Sequence, residues 1–169
     1  MALVSDFEYI ELEDLIRKLE DKEDARIFIL DKIEDPHNFG AIARSSNFFG
    51  VDAIIFPNRR AATVNDTVVK SSAGAIYDID VCKVSNISQS IDKLKEAGFW
   101  IYATDLEGED IRECDFSGKA AIVIGNEGKG VSKNILKNSD KIITIPNFSD
   151  FDSLNASVAA AIVMYEIRR

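Results

Sequence analysis

Ile122-Val-Ile-Gly125-Asn126-Glu127-Gly128-Lys129-Gly130-Val131-Ser132 is the stretch on which the fold turns. A buried strand runs straight into three glycines within six residues. The loop fits neither GxGxxG, the dinucleotide fingerprint, nor GxxxxGK[ST], the phosphate loop. It exposes backbone around a single carboxylate, Glu127. Gly125, Asn126 and Gly130 can offer N–H and C=O groups to an adenosine while Glu127 is held in place. A plain strand-to-helix turn accounts for the same residues.

On either side of this stretch, strands and helices alternate. Short apolar runs read as strands at 27–30, 53–56, 79–84, 99–103, 120–124 and 141–145. Helices read at 38–49, 65–71, 87–97, 132–137 and 153–167, with Gly50 and Gly98 placed as left-handed C-caps. The alternation predicts an α/β fold, a mostly parallel sheet with helices on both faces. Ligands of such sheets bind at the carboxyl ends of strands. The unusual residues gather there, at 35–44, 125–130 and 147–155.

The first of these segments is Asp35-Pro36-His37-Asn38-Phe-Gly40-Ala-Ile-Ala-Arg44. Pro36 cannot continue a strand, Asn38 suits a helix N-cap, and Gly40 permits close approach. From Arg44 a guanidinium can reach a phosphate near the helix start; a capped helix with a surface arginine is the plainer account. The last segment, Ile145-Pro146-Asn147-Phe-Ser149-Asp-Phe-Asp152-Ser153-Leu154-Asn155, opens the final helix. Asp152 or Ser153 can cap it, and Ser153 and Asn155 sit where the helix dipole favours an anion. Leu154, Val158, Ala161, Ile162 and Tyr165 form its apolar face.

The composition is that of a water-soluble globular chain, 46% hydrophobic and 29% charged over 169 residues. No apolar run approaches a membrane span, and no signal peptide is read at the start. Cys82 and Cys114 form no metal pattern, and the single His37 rules out a multi-histidine site; no metal is expected. The cysteines suit a reduced, cytoplasmic setting. A net charge of −9 speaks against nucleic acid. Residues 1–24 carry nine acids and three bases, a net of −6, which leaves −3 for the rest. Residues 1–24 therefore read as an acidic arm or linker. It ends in an amphipathic helix built on Leu12, Leu15, Ile16 and Leu19.

In order and spacing, the three segments resemble the three motifs of the SpoU/TrmH RNA methyltransferases. Lys70-Ser71-Ser72-Ala73-Gly74-Ala75 extends the match, which runs from about Arg26 to Arg169. The resemblance implies a domain over 25–169 with a C-terminal trefoil knot, the α/β-knot (SPOUT) fold, formed from Ile122 to the final helix. It implies S-adenosylmethionine as cofactor, ribosomal or transfer RNA as substrate, and methyl transfer to a ribose 2'-hydroxyl. It implies a homodimer whose active site draws on both subunits. Position by position, Arg44, Asn38, Glu127, Ser153 and Asn155 match the catalytic set, with Arg44 the family's proposed catalytic residue. Gly125, Ile145 and Leu154 match positions whose backbone holds the cofactor. Two positions depart from the family: Asn147 stands for a usual methionine and Ser149 for a usual glycine. Relatives with this arm often carry an L30e-like N-terminal RNA-binding domain. Three competing accounts are a catalytically silent knotted RNA-binding relative, a Rossmann-type nucleotide enzyme lacking its fingerprint, and a dimerisation module.

Overall fold

The computed structural model of the protein describes residues 7–169. In chain order the elements are α1 (Leu12–Lys18), β1 (Ala25–Asp31), α2 (Pro36–Phe48), β2 (Ala53–Pro57), α3 (Asp66–Ser71) and β3 (Asp80–Val84). They continue with α4 (Ile87–Glu96), β4 (Trp100–Asp110), β5 (Lys119–Gly125), α5 (Lys133–Asn138), β6 (Lys141–Thr144) and α6 (Ala156–Arg168). Short 3-10 turns cover Ala75–Asp78 and Ile111–Glu113.

The strands form one six-stranded sheet in the order β3-β2-β1-β5-β4-β6. Every pairing is parallel. β1 lies inside it and pairs with β5 from Ala25↔Lys119 to Asp31↔Gly125. Every residue of β1 is buried, because helices cover both faces. Its side chains alternate between the two. Phe28 and Leu30 join the core beneath α2, α3 and α6, with Phe39, Val68 and Met164. Ile27 and Ile29 join the core beneath α1, α4 and α5, with Leu15, Leu94 and Ile135. Each large side chain buried this way stabilises the fold by about 1.5–3 kcal/mol.

The arm's helix packs into the second core through Leu12, Leu15 and Leu19. Ile10 N–H donates to Val81 O at 2.9 Å. Glu13 pairs with Lys93 at 2.6 Å and Lys18 with Asp80 at 2.6 Å. Residues 1–6 of the arm lie outside the described residues.

Four local expectations change. Helix α2 starts at Pro36, and its cap is Asp35, whose carboxylate accepts from His37 N–H at 2.8 Å. Proline is at ease at the first helical position, where no N–H is needed, so Asn38 falls inside the helix with its side chain free for other work. Helix α6 starts at Ala156, and Asn155 caps it, accepting from Ser157 N–H at 2.9 Å and Val158 N–H at 3.3 Å. Strand β4 runs on to Asp110, with a register shift against β6 between Thr104 and Glu109. The α6 face read as apolar is the outward one. Leu154, Val158, Ile162 and Tyr165 are exposed, and Ala156, Ala160, Val163, Met164 and Ile167 face the core. This helix is apolar almost all round, so its sequence pattern does not pick out the inward side. No described helix is long and apolar enough to cross a membrane.

Candidate active site

The three sequence segments meet at the carboxyl edge of the sheet. After β5 the chain folds back on itself: Gly130 N–H donates to Asn126 O at 2.8 Å. The Asn126 side chain also accepts from Gly128 N–H at 2.8 Å and donates to Lys32 O at 3.2 Å. A Cβ on Gly125 would lie 2.3 Å from Gly130 C and 2.4 Å from Val131 N. Only glycine lets the loop close so tightly against the strand end. Buried Asp31, the last residue of β1, fixes the loop's far side by accepting from Ser132 N–H at 2.8 Å and Ser132 Oγ–H at 2.7 Å.

This loop delivers Glu127 to the start of α6. Asn38 Nδ2 donates to Glu127 Oε1 at 2.6 Å, and Asn155 Nδ2 donates to the same oxygen at 3.4 Å. Asn155 Nδ2 also donates to Asn38 Oδ1 at 3.0 Å. Ala156 N–H points at Glu127 Oε1 from 3.5 Å, and Ser153 Oγ donates to Glu127 O at 3.2 Å. A carboxylate at a helix N-terminus is favoured by the exposed N–H groups and the helix dipole. Asn38, Glu127, Ser153 and Asn155 thus form one hydrogen-bonded unit drawn from α2, the β5–α5 loop and the start of α6.

Arg44 stands apart from that unit within a single chain. It is exposed on α2 and makes no hydrogen bond or ion pair among the described residues. At 3.6 residues per turn it points roughly 120° around the helix from Asn38. It shares its face instead with Phe48, four residues on, which is 83% exposed.

Beside Glu127 opens a cleft of about 360 Å³, within the size range of small-ligand sites. Gly125, Asn126, Gly130, Ile145 and Leu154 all line it. Thr104, Asp105 and Leu106, from the polar extension of β4, line it too. The sequence reading missed these three; their signal was their place at the carboxyl end of a strand. Asn147 and Ser149, the two departures from the family pattern, bond to each other across the rim. Ser149 N–H donates to Asn147 Oδ1 at 2.8 Å, and Asn147 Nδ2 donates to Phe151 O at 2.6 Å. The walls are apolar at Leu106, Ile124, Ile145 and Leu154, with carboxylates at Asp105, Glu127 and Asp152 against one lysine, Lys129. Apolar walls and excess negative charge suit a flat heteroaromatic ligand bearing a cation. Among the described residues no cluster of His, Cys, Asp or Glu is placed to hold a metal ion.

Known proteins share this sequence and arrangement. The profile of the SpoU rRNA methylase family matches residues 25–165. An uncharacterized tRNA/rRNA methyltransferase of Borreliella burgdorferi is 44% identical over 160 residues, covering 94% of this chain and 70% of that protein. The AdoMet-bound rRNA methyltransferase of Sinorhizobium meliloti superposes with a TM-score of 0.86 at 27% identity, over 97% of this chain and 62% of that one. An RNA 2'-O ribose methyltransferase superposes at 0.78 with 25% identity, over 98% and 59% of the two chains. This chain therefore spans about 60% of the length of those solved proteins. Fold, motifs and sequence agree, and the chain belongs to the SpoU rRNA methylase family.

Proposed function

We propose that this chain is the catalytic unit of an S-adenosylmethionine-dependent methyltransferase acting on a ribose 2'-hydroxyl of ribosomal or transfer RNA. The observation that carries the reading is the Asn38–Glu127–Asn155 network at the mouth of a cleft suited to an adenosine with a cationic tail. The AdoMet-bound rRNA methyltransferase and the RNA 2'-O ribose methyltransferase of the same shape support it.

In this proposal Gly125, Asn126, Gly130, Ile145 and Leu154 hold the cofactor, mainly through backbone groups. Bound S-adenosylmethionine supplies an activated methyl group, so the chemistry needs no metal. Glu127 is a positioning residue: its carboxylate is already engaged by Asn38 and Asn155. Ser153 ties down its backbone. The network aligns the ribose, and alignment supplies much of the rate. Arg44 holds the phosphate next to the target ribose. Its fixed positive charge eases loss of the 2'-hydroxyl proton.

Arg44 reaches a ribose through a second copy of the chain. It borders an exposed apolar surface of Phe48, Val158, Ile162 and Tyr165. Phe49 and Tyr165 lie 6.2 Å apart edge to face, which joins the end of α2 to that surface. An apolar patch of this kind marks an interface, and a two-fold dimer would set each Arg44 against its partner's cleft. A trefoil knot from Ile122 through α6 belongs to the same proposal. It is supported by the β5-β4-β6 order, in which the chain leaves β5 and passes β4 to reach β6. The free thiols of Cys82 and Cys114 agree with a cytoplasmic enzyme.

The test is incubation of unmodified ribosomal and transfer RNA with the protein and S-adenosylmethionine bearing a deuterated methyl group, followed by nucleoside mass spectrometry. One labelled 2'-O-methyl nucleoside is expected. Label on a base instead of a ribose, or no label on any RNA despite cofactor binding, would overturn the reading.

A further inference from the structure

The protein is acidic, yet its bases are divided unevenly. Of 20 lysines and arginines, nine stand in ion pairs among the described residues. None of the nine lies on the loops that leave the carboxyl ends of β2, β1 and β5. Those loops carry Arg59, Arg60, Lys32 and Lys129, all without an ion-pair partner among the described residues. The three strands are neighbours in the sheet, so their loops stand side by side at a strand spacing of about 4.8 Å.

Two hydrogen bonds hold the loops in line. Ala62 N–H donates to Ile33 O at 3.0 Å, which binds the Arg59–Arg60 loop to the loop after β1. Asn126 Nδ2 donates to Lys32 O at 3.2 Å, which binds that loop to the Glu127 loop. Carboxylates on the same loops are mostly spent within the protein. Asp31 holds Ser132, Asp35 caps α2, and Glu127 holds the asparagines. Glu34 is the exposed exception. Lys32 and Arg60 also hold left-handed backbone, with φ of 62° and 52°, a conformation that few non-glycine residues adopt without a compensating gain.

We infer that Arg59, Arg60, Lys32 and Lys129 form a phosphate-binding strip that leads the RNA backbone along the sheet edge to the cleft. This rests on the methyltransferase reading above and adds to it the surface that grips the substrate away from the reacting ribose. The strip supplies charge without reading sequence, since phosphate contacts position a nucleic acid rather than specify it. It also offers a route by which a chain of net charge −9 binds RNA: nine of its other sixteen bases stand in ion pairs, and these four, set side by side, do not.

The experiment measures binding of a fluorescein-labelled unmodified transfer RNA transcript across a salt series, with calorimetry of S-adenosylmethionine alongside. The proteins compared are wild type, Arg59→Ala/Arg60→Ala, Arg59→Lys/Arg60→Lys and Lys137→Ala. The alanine pair is expected to weaken RNA binding about tenfold and to flatten the log–log salt slope by about 1–2. The lysine pair should restore most of both, Lys137→Ala should change neither, and cofactor affinity should be the same throughout. An unchanged RNA affinity and slope in the alanine pair, or a wild type that binds no RNA, overturns the strip. A wild type that binds RNA but no S-adenosylmethionine leaves the strip standing and overturns the methyltransferase reading.

Discussion

Asn38 Nδ2 lies 2.6 Å from Glu127 Oε1, a charge-assisted hydrogen bond between an α2 side chain and the glycine-rich loop. The contact leaves Asn38 Oδ1 to accept from Asn155. An amide has one donor end and one acceptor end, and both of Asn38's are used.

Glu127→Gln keeps one oxygen to accept from Asn38 and Asn155 but removes the negative charge and puts an NH₂ donor where the second carboxylate oxygen stands. Methyl transfer is expected to fall about 10²–10³-fold, the usual loss for one positioned polar contact. Steady-state kinetics should place the fall in kcat, with the circular dichroism spectrum unchanged. Activity within twofold of wild type would remove Glu127 from the site.

Arg44 and Glu127 belong to different copies of the chain if the active site is shared across a dimer. Arg44→Ala and Glu127→Gln should each be inactive alone. Subunit exchange between them should then recover about a quarter of wild-type activity, because half the dimers carry one intact site of two. Failure to recover any activity, with mixed dimers demonstrated by mass, would place both residues in one chain. Val158→Asp, which buries a charge in the apolar patch, should yield monomers by light scattering and abolish turnover.

Gly125→Ala puts a methyl group where Gly130 and Val131 backbone already sit. The loop must then shift, and backbone has less freedom to give than a side chain. Cofactor affinity should fall more than tenfold by calorimetry, with a smaller shift in the urea midpoint, since residues 126–130 belong to neither core and only Val131 does. Gly40→Ala is the contrasting case. Its Cβ would meet Ser71 Oγ at 1.8 Å and Ser71 Cβ at 2.7 Å at the α2–α3 contact. Urea unfolding should show a loss of about 1–3 kcal/mol.

Burial pushes the Cys82 thiol up to about 12, with Glu11 and Glu13 adding to the shift. The unfolded chain releases that proton near ~8.5. Between roughly pH 8.5 and 12 the native state therefore holds more protons than the unfolded one, so stability declines as pH rises through this window. Urea unfolding at pH 7 and pH 10 checks it: wild type should lose more stability than Cys82→Ala. The same burial should leave Cys82 inert to a thiol reagent at pH 8 until the protein unfolds.

Much of this architecture is legible in the sequence because buried parallel strands write themselves as short apolar runs. All six strands begin within two residues of where such runs begin, from Ile27 to Lys141. Gly50 and Gly98 do adopt the left-handed backbone that their positions imply, at φ of 68° and 92°. What stays hidden is hidden for physical reasons. The Thr104–Asp110 end of β4 is polar and acidic, since it lines a cleft and an edge rather than a core. Asn38 and Asn155 each have cap chemistry, but only three-dimensional packing decides that Asn155 caps α6 while Asn38 turns to Glu127. Arg44 is exposed and makes no hydrogen bond or ion pair among the described residues, so the contacts of one protomer do not bring it to the others.

β1 is flanked by β2 on one side and β5 on the other, and this has a consequence for biosynthesis. While the ribosome is still making the chain, β1, β2 and β3 can already zip together. The opposite flank of β1, rich in Ile and Phe, stays open until Lys119 and the residues after it emerge. An open strand flank recruits other strands, and half-made chains are prone to such mispairing. The nascent polypeptide is thus most dependent on chaperones, and on quick elongation, during the stretch between β3 and β5.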